Sequence, residues 1–152
     1  MKSAHLQKHL NKHRYLVRKL QRSGRDTTLI LSILLTESYF RNEQCRNTEY
    51  LAWLILNALG VRRAEYISLG IAQIQYRYWL RCSAFPSSCL ARLKNFRDPF
   101  MNYDVCLKYL HSKSGSSNIS LCQLSELYTG RVQKYYMEVL RLCRGWIEVN
   151  SA

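Results

Sequence analysis

The sequence predicts an all-α protein, a single bundle of about seven or eight helices. Three observations predict it. Only two prolines and six glycines interrupt 152 residues, one domain's worth of chain, so long helices are favoured over many short strands. Apolar residues recur at helical spacing through most segments. No run of useful length alternates apolar and polar residues as a half-buried strand does, and no internal repeat is present.

The elements follow in order. Leu6, Leu10, Val17 and Leu20 share one face of a first helix within residues 1–25, a segment holding eight Lys and Arg and no acid. This basic amphipathic helix is expected to stand apart from a domain spanning residues 26–147. His5, His9 and His13 repeat every fourth residue along it and suit a solvated basic face better than a metal stripe. Ser23-Gly24 breaks the pattern, and Asp26 or Thr27 can cap a second helix running to about Phe40. Residues 48–59 form a third, apolar helix around Leu51, Trp53, Leu54, Leu56 and Leu59, closed by Gly60. The stretch SLGIAQIQ reads as a loop entering a helix, and Tyr76 to Cys82 is aromatic and basic. Pro86-Ser87-Ser88 is a turn.

Asp98-Pro99 combines a capping carboxylate with proline at the first helical position. The helix it opens places Tyr103, Cys106, Leu107 and Leu110 on one face. Ser114 to Asn118 is a loop, and Ser120 with Gln123 makes a capping box for a helix ending near Tyr128. A last helix from about Val132 is expected to bury Val132, Tyr136, Val139 and Cys143.

The net charge is +13, from 23 basic and 10 acidic residues. Such a chain concentrates on anionic polymers or surfaces, among which charge alone does not choose. The six cysteines suit a disulfide framework or small buried hydrophobes. Cys106 and Cys143 lie on apolar stripes and read as buried, whereas Cys82 and Cys89 flank a polar turn and could form a local bridge. No pair has zinc-knuckle spacing, so no metal is implied. Leu29 to Leu35 is too short to span a membrane and is followed by Glu37 and Arg41. A secretory signal peptide fits poorly.

Glu37 stands out chemically. Ile30, Ile33 and Leu34 define an apolar face, and the same spacing puts Glu37 in its middle. A carboxyl withdrawn from water prefers its neutral form, so its pKa rises, as an acid for glycosidic cleavage requires. On position alone, a helix-end glutamate that bends out to solvent fits better.

Four motifs change that weighting. Glu37-Ser38 in LLTESYF resembles the Glu-Ser signature of lytic transglycosylases. Gly70-Ile71-Ala72-Gln73-Ile74 is similar to their G-L-M-Q-I motif, and DPFMNYDVCLKYL at 98–110 to their D-P-x-x-N helix. LYTGRVQKYYMEVL at 127–140 is similar to their A-Y-N-x-G segment with its later tyrosine. The four occur in the family's order over residues 27–140. Departures are Thr129 for the asparagine, Ala72 for the methionine, and an extra helix between the first two motifs.

The resemblance to lytic transglycosylases and goose-type lysozymes implies a lysozyme-like helical domain that cuts the MurNAc–GlcNAc bond of peptidoglycan without a cofactor. Glu37 would be the acid and then the base. Ser38 would help position the sugar or the carboxyl, and Gln73 would line the glycan groove. The Gly70 backbone would let substrate approach closely. Tyr128 would form groove wall, and Tyr135 would lie near Glu37 and hold it. The family needs one carboxyl because the substrate's acetamido group stabilises the developing charge and the sugar's own 6-hydroxyl attacks, leaving a 1,6-anhydro end. A hydrolytic muramidase of inverting type needs a second carboxylate roughly 6.5–9.5 Å away, for which Glu49 and Glu65 are candidates, with Glu43 behind them.

The implied partner is the glycan strand, and the implied location periplasmic or extracellular. A secretion-system partner or a cognate inhibitor protein is compatible. A basic nucleic-acid-binding domain, carried by YRYWLR at 76–81, is a weaker alternative because it leaves Glu37 and the ordered motifs unused. An inactive relative that binds glycan or another protein is a third reading.

Overall fold

The computed structural model describes residues 2–82, 86–114 and 119–150, without the side chains of Lys2, Ser3 and Cys82. Within them it is mostly helical. The helices are α1 (Lys2–Arg22), α2 (Thr28–Phe40), α3 (Glu43–Ala58), α4 (Tyr76–Cys82), α5 (Cys89–Arg97), α6 (Pro99–Ser114), α7 (Leu121–Thr129) and α8 (Lys134–Asn150). A 3-10 turn at Arg62–Tyr66 precedes a two-stranded hairpin of β1 (Ser68–Leu69) and β2 (Ile74–Gln75). None of the described helices is long and apolar enough to cross a membrane.

The centre of the bundle is α2. Nine consecutive residues, Ile30 to Ser38, are buried, because α8 packs along it while α1 and α6 close its other sides. A helix buried all round must satisfy its polar side chains internally. Ser32 and Thr36 do so by donating to the carbonyls of Leu29 and Ser32 at 2.8 and 2.7 Å.

The stripe Leu6, Leu10, Val17 and Leu20 seats α1 in the same core as α2 and α8. The first helix thus packs against α2, α6 and α8. At the α1–α2 corner, Arg25 grips Asp104 of α6 through two bonds of 2.8 and 2.7 Å. Nor are the histidines all solvated. His9 Nε2 lies 3.0 Å from Ser38 Oγ and 3.2 Å from the Leu35 carbonyl, and His13 Nδ1 donates to the His9 carbonyl at 3.0 Å. Burial, then the neighbouring His13, holds the His9 imidazole down at about 4, so it is neutral at pH 7.

A second packing centre is aromatic. Trp53 of α3, Trp79 of α4 and Phe96 of α5 are fully buried, with Phe96 edge-on to Trp53 at 4.9 Å and to Trp79 at 5.1 Å. The helix expected at 48–59 begins earlier, at Glu43, where the Asn42 side chain accepts from the Cys45 amide. Only its Tyr50–Trp53 face is buried, and Leu51, Ile55 and Leu59, four residues apart, form an exposed apolar stripe.

Two expected helix starts hold. Asp98 accepts from the Phe100 amide at 2.9 Å, and Ser120 with Gln123 closes a reciprocal capping box. SLGIAQIQ, expected as a loop entering a helix, does lead into α4, but it contains the hairpin, paired Ser68 with Gln75 and Leu69 with Ile74. Two-residue strands are too short to show alternation, so the sequence pattern misses them. Val132, expected to be buried, is 47% exposed, because α8 starts two residues later. Cys89 is a free thiol that accepts from Asn57, so it makes no bridge to Cys82. The loop expected at 114–118 lies outside the described residues beyond Ser114.

Candidate active site

The last turn of α2 carries Glu37 to the edge of a cleft of about 300 Å³. Phe40 and Arg41 line it from the end of α2, Ser68 and Gln73 from the hairpin, Tyr128 and Thr129 from α7, and Gln133 and Tyr136 from the start of α8. Glu37 is only 6% exposed. Burial dominates its titration and pushes its pKa up to about 7, against the Tyr136 hydrogen bond and the Arg41 charge, while Glu49 adds to the rise. The group can therefore both hold and release a proton near neutrality.

Tyr136 donates to Glu37 Oε1 at 2.5 Å. Its ring stacks on Phe40 at 5.6 Å and on Tyr128 at 6.5 Å, so three near-parallel rings flank the carboxyl. The Tyr128 hydroxyl sits 3.5 Å from Cys106 Sγ. Tyr135, expected to hold Glu37, instead meets the Tyr39 hydroxyl at 3.2 Å and the Phe40 ring edge-on. The one-residue difference follows from helix phase. Tyr136, Val139, Leu140, Cys143 and Ile147 form the buried stripe of α8, and Tyr135 lies one position off it.

Replacing Tyr136 by phenylalanine removes a hydrogen bond to the charged form of Glu37. Such bonds contribute about 1.5–3 kcal/mol, so the Glu37 pKa should climb by at least about one unit. The expected result is a Glu37 titration, followed by NMR, displaced upward by that amount, and with it the alkaline limb of the rate–pH profile of the activity proposed below. An unmoved titration would separate Tyr136 from the titrating group.

Gln73 is the one described non-glycine residue with positive φ, at 50°. Strain of this kind is held in place by surrounding contacts. Here Gln73 Nε2 donates to Glu49 Oε2 at 2.9 Å and to the Gly70 carbonyl at 3.0 Å. The other Glu49 oxygen pairs with Arg41 at 3.1 Å. Glu49 thus anchors the two cationic and amide groups beside the cleft, whereas Glu43 and Glu65 are exposed on the surface.

Gly70 and Ser38 act away from the cleft. A Cβ on Gly70 would lie 2.1 Å from Asn102 Oδ1, so its bare backbone admits Asn102 and not substrate. Asn102, fully buried, donates to the carbonyls of Phe96 and Asp98 at 2.8 Å each and accepts from the Ala72 amide at 3.1 Å. It clamps the 70–73 turn onto α6. Ser38 faces α1, donating to the Leu35 carbonyl at 2.9 Å beside His9. Thr129 turns its hydroxyl onto the carbonyls of Ser125 and Arg131, at 2.8 and 2.7 Å.

Of the six residues singled out from sequence, Glu37, Gln73 and Tyr128 meet at one cleft. Ser38, Gly70 and Tyr135 support it from outside. Tyr136 and Asn102 were missed, although the apolar stripe of α8 contained the first and the D-P-x-x-N segment the second. Arg41 carried no sequence signal. Among the described residues no group of three His, Cys, Asp or Glu side chains could hold a metal.

Fold and site together define an all-α protein with a buried, protonatable glutamate in an aromatic-walled cleft. No family model, curated protein or solved structure matches the chain.

Proposed function

We propose that the protein cleaves the MurNAc–GlcNAc β-1,4 bond of peptidoglycan as a lytic transglycosylase, with Glu37 as its acid and base. The observation that carries this reading is Glu37 itself, buried at the cleft edge with a pKa near neutrality. The four ordered motifs, of which Glu37-Ser38 is the first, also support it.

In this reaction the Glu37 carboxylic proton passes to the bridging oxygen as the bond from that oxygen to the anomeric carbon breaks. The 2-acetamido group shields the cationic carbon. The carboxylate, steadied by the Tyr136 hydroxyl, then takes the proton of the 6-hydroxyl as its oxygen closes onto that carbon. Phe40 and Tyr128 supply flat apolar surfaces suited to sugar faces. The activity places the protein in the periplasm or outside the cell.

Digestion of purified peptidoglycan by wild type and Glu37→Gln, read by mass spectrometry, tests the proposal. Anhydro-muropeptides from wild type alone are expected. No release from walls of several bacterial types would sink it.

A hydrolytic muramidase is the second reading, favoured by one observation: Glu49, joined to Gln73, lies close enough to raise the Glu37 pKa. Both Glu49 oxygens are already engaged, which suits an anchor better than a base. Glu49→Gln is therefore expected to keep anhydro products and to move the alkaline limb toward lower pH, since a like charge is removed. Hydrated ends from wild type that vanish in this variant would make Glu49 the base.

A further inference from the structure

Beyond the cleft wall lies a cluster of cations and tyrosines that the cleavage chemistry does not use. The Arg77 guanidinium sits between two rings, 5.0 Å from the Tyr66 centroid and 4.8 Å from that of Tyr78. Lys113 Nζ is 4.8 Å from the Tyr78 centroid and Arg81 is 6.0 Å from it. Lys113, with Arg77 and Arg81 beside it, holds the Tyr78 hydroxyl below its usual range. Three cations thus gather on one tyrosine. The ion pairs among the described residues are Arg25–Asp104, Arg41–Glu49 and Arg144–Glu148, so none neutralises this cluster.

Like charges gathered without an acid repel one another unless an anion joins them. Two features narrow the kind of anion. Arg77 Nε is buried without a hydrogen bond, so an anion meets the guanidinium at its terminal nitrogens. Guanidinium donors lie in one plane, a geometry matched to the planar fork of a carboxylate.

The cluster is also joined to the cleft. Tyr66 stands two residues before Ser68, which lines the cleft, and Arg77 stands two residues after Gln75, the hairpin partner of Ser68. At about 3.3 Å per extended residue, two residues cover roughly 7 Å, so a short peptide spans from the cleft to the cluster.

We propose that Arg77, Lys113 and Tyr78 form a subsite for a carboxylate of the acidic peptide attached to the glycan strand. This rests on the reading of the protein as a peptidoglycan-cleaving enzyme, and it names the part of the substrate that sets specificity. The peptide docks on the cluster while the sugar backbone lies against Glu37. A substrate without peptide is cut but held less tightly.

The test reads binding separately from cleavage. A short synthetic stem peptide with free glutamate and C-terminal carboxylates is titrated into the Glu37→Gln protein and followed by NMR. Shifts at Tyr66, Tyr78 and Arg77 are expected, with affinity reduced at least tenfold by Arg77→Gln and by the exposed Lys113→Gln. The same peptide amidated at its carboxyls should not bind. Equal binding of the amidated peptide, no binding of the free one, or inorganic phosphate binding as tightly as the peptide would each overturn the assignment. Kinetics supply the second arm: Lys113→Gln should raise KM on intact peptidoglycan and leave peptide-free glycan unchanged, and equal effects on both would count against it. Wild type that cuts neither substrate, yet binds the free peptide at Arg77, would reject the cleavage reading and keep the subsite.

Discussion

Glu37→Gln should abolish the proposed cleavage and, above neutral pH, make the protein more stable. Loss of the proton donor costs about 10²–10⁴-fold in rate. The stability gain follows from linkage. The folded protein raises the Glu37 pKa from 4.5 to about 7, so it binds the proton more tightly than the unfolded chain does. Its contribution is complete below 4.5 and is lost as pH rises through 7. Above that window the ionised carboxylate destabilises the fold by about 3 kcal/mol, at about 1.4 kcal/mol per pKa unit. Glutamine is never charged and can still accept from Tyr136. The variant should therefore gain about 10 °C in Tm at pH 9 and almost nothing at pH 4. Calorimetry across that range checks it, and a gain independent of pH would mean that Glu37 is not the buried titrating group.

Gly70→Ala should be among the most destabilising single substitutions, because a new Cβ meets the Asn102 side-chain oxygen at 2.1 Å and the Phe96 carbonyl at 3.0 Å. The backbone at φ 78° adds strain of its own. Relief requires displacing Asn102, which strands the Ala72 amide and two carbonyls in a buried setting. A loss of about 3–5 kcal/mol is expected. Gly130→Ala is the control, since its φ of 75° is similar but nothing lies within 4 Å of the added methyl. It should cost only about 1 kcal/mol, the cost of the left-handed backbone alone. Denaturant unfolding of the two variants compares them directly, and equal losses would show that the Asn102 clamp contributes nothing. Because the 70–73 turn carries Gln73 to the cleft, Gly70→Ala should also reduce the proposed activity in whatever fraction remains folded.

Much of the architecture was legible because helices announce themselves locally. The stripe of α1, the Asp98-Pro99 start and the Ser120–Gln123 box each depend on residues within a turn or two of one another. The hairpin was not legible, because two-residue strands carry no period. The start of α3 was not legible, because its first residues, Glu43 to Cys45, are exposed and carry no apolar stripe.

The sequence by itself determined an all-α chain, a strongly basic surface and a glutamate at the end of an apolar helix. Helical period, composition and charge are properties of neighbours along the chain. Only the tertiary structure decided which tyrosine holds Glu37, since Tyr135 and Tyr136 are adjacent and the phase of α8 against α2 chooses between them. It likewise turned Ser38 toward His9, closed Gly70 onto Asn102 and placed Arg77 between Tyr66 and Tyr78. Each of these depends on contacts between segments tens of residues apart, apart from the Arg77 stacking, which joins neighbouring elements. The raised Glu37 pKa is tertiary in the same way, because burial by the surrounding helices is its largest cause.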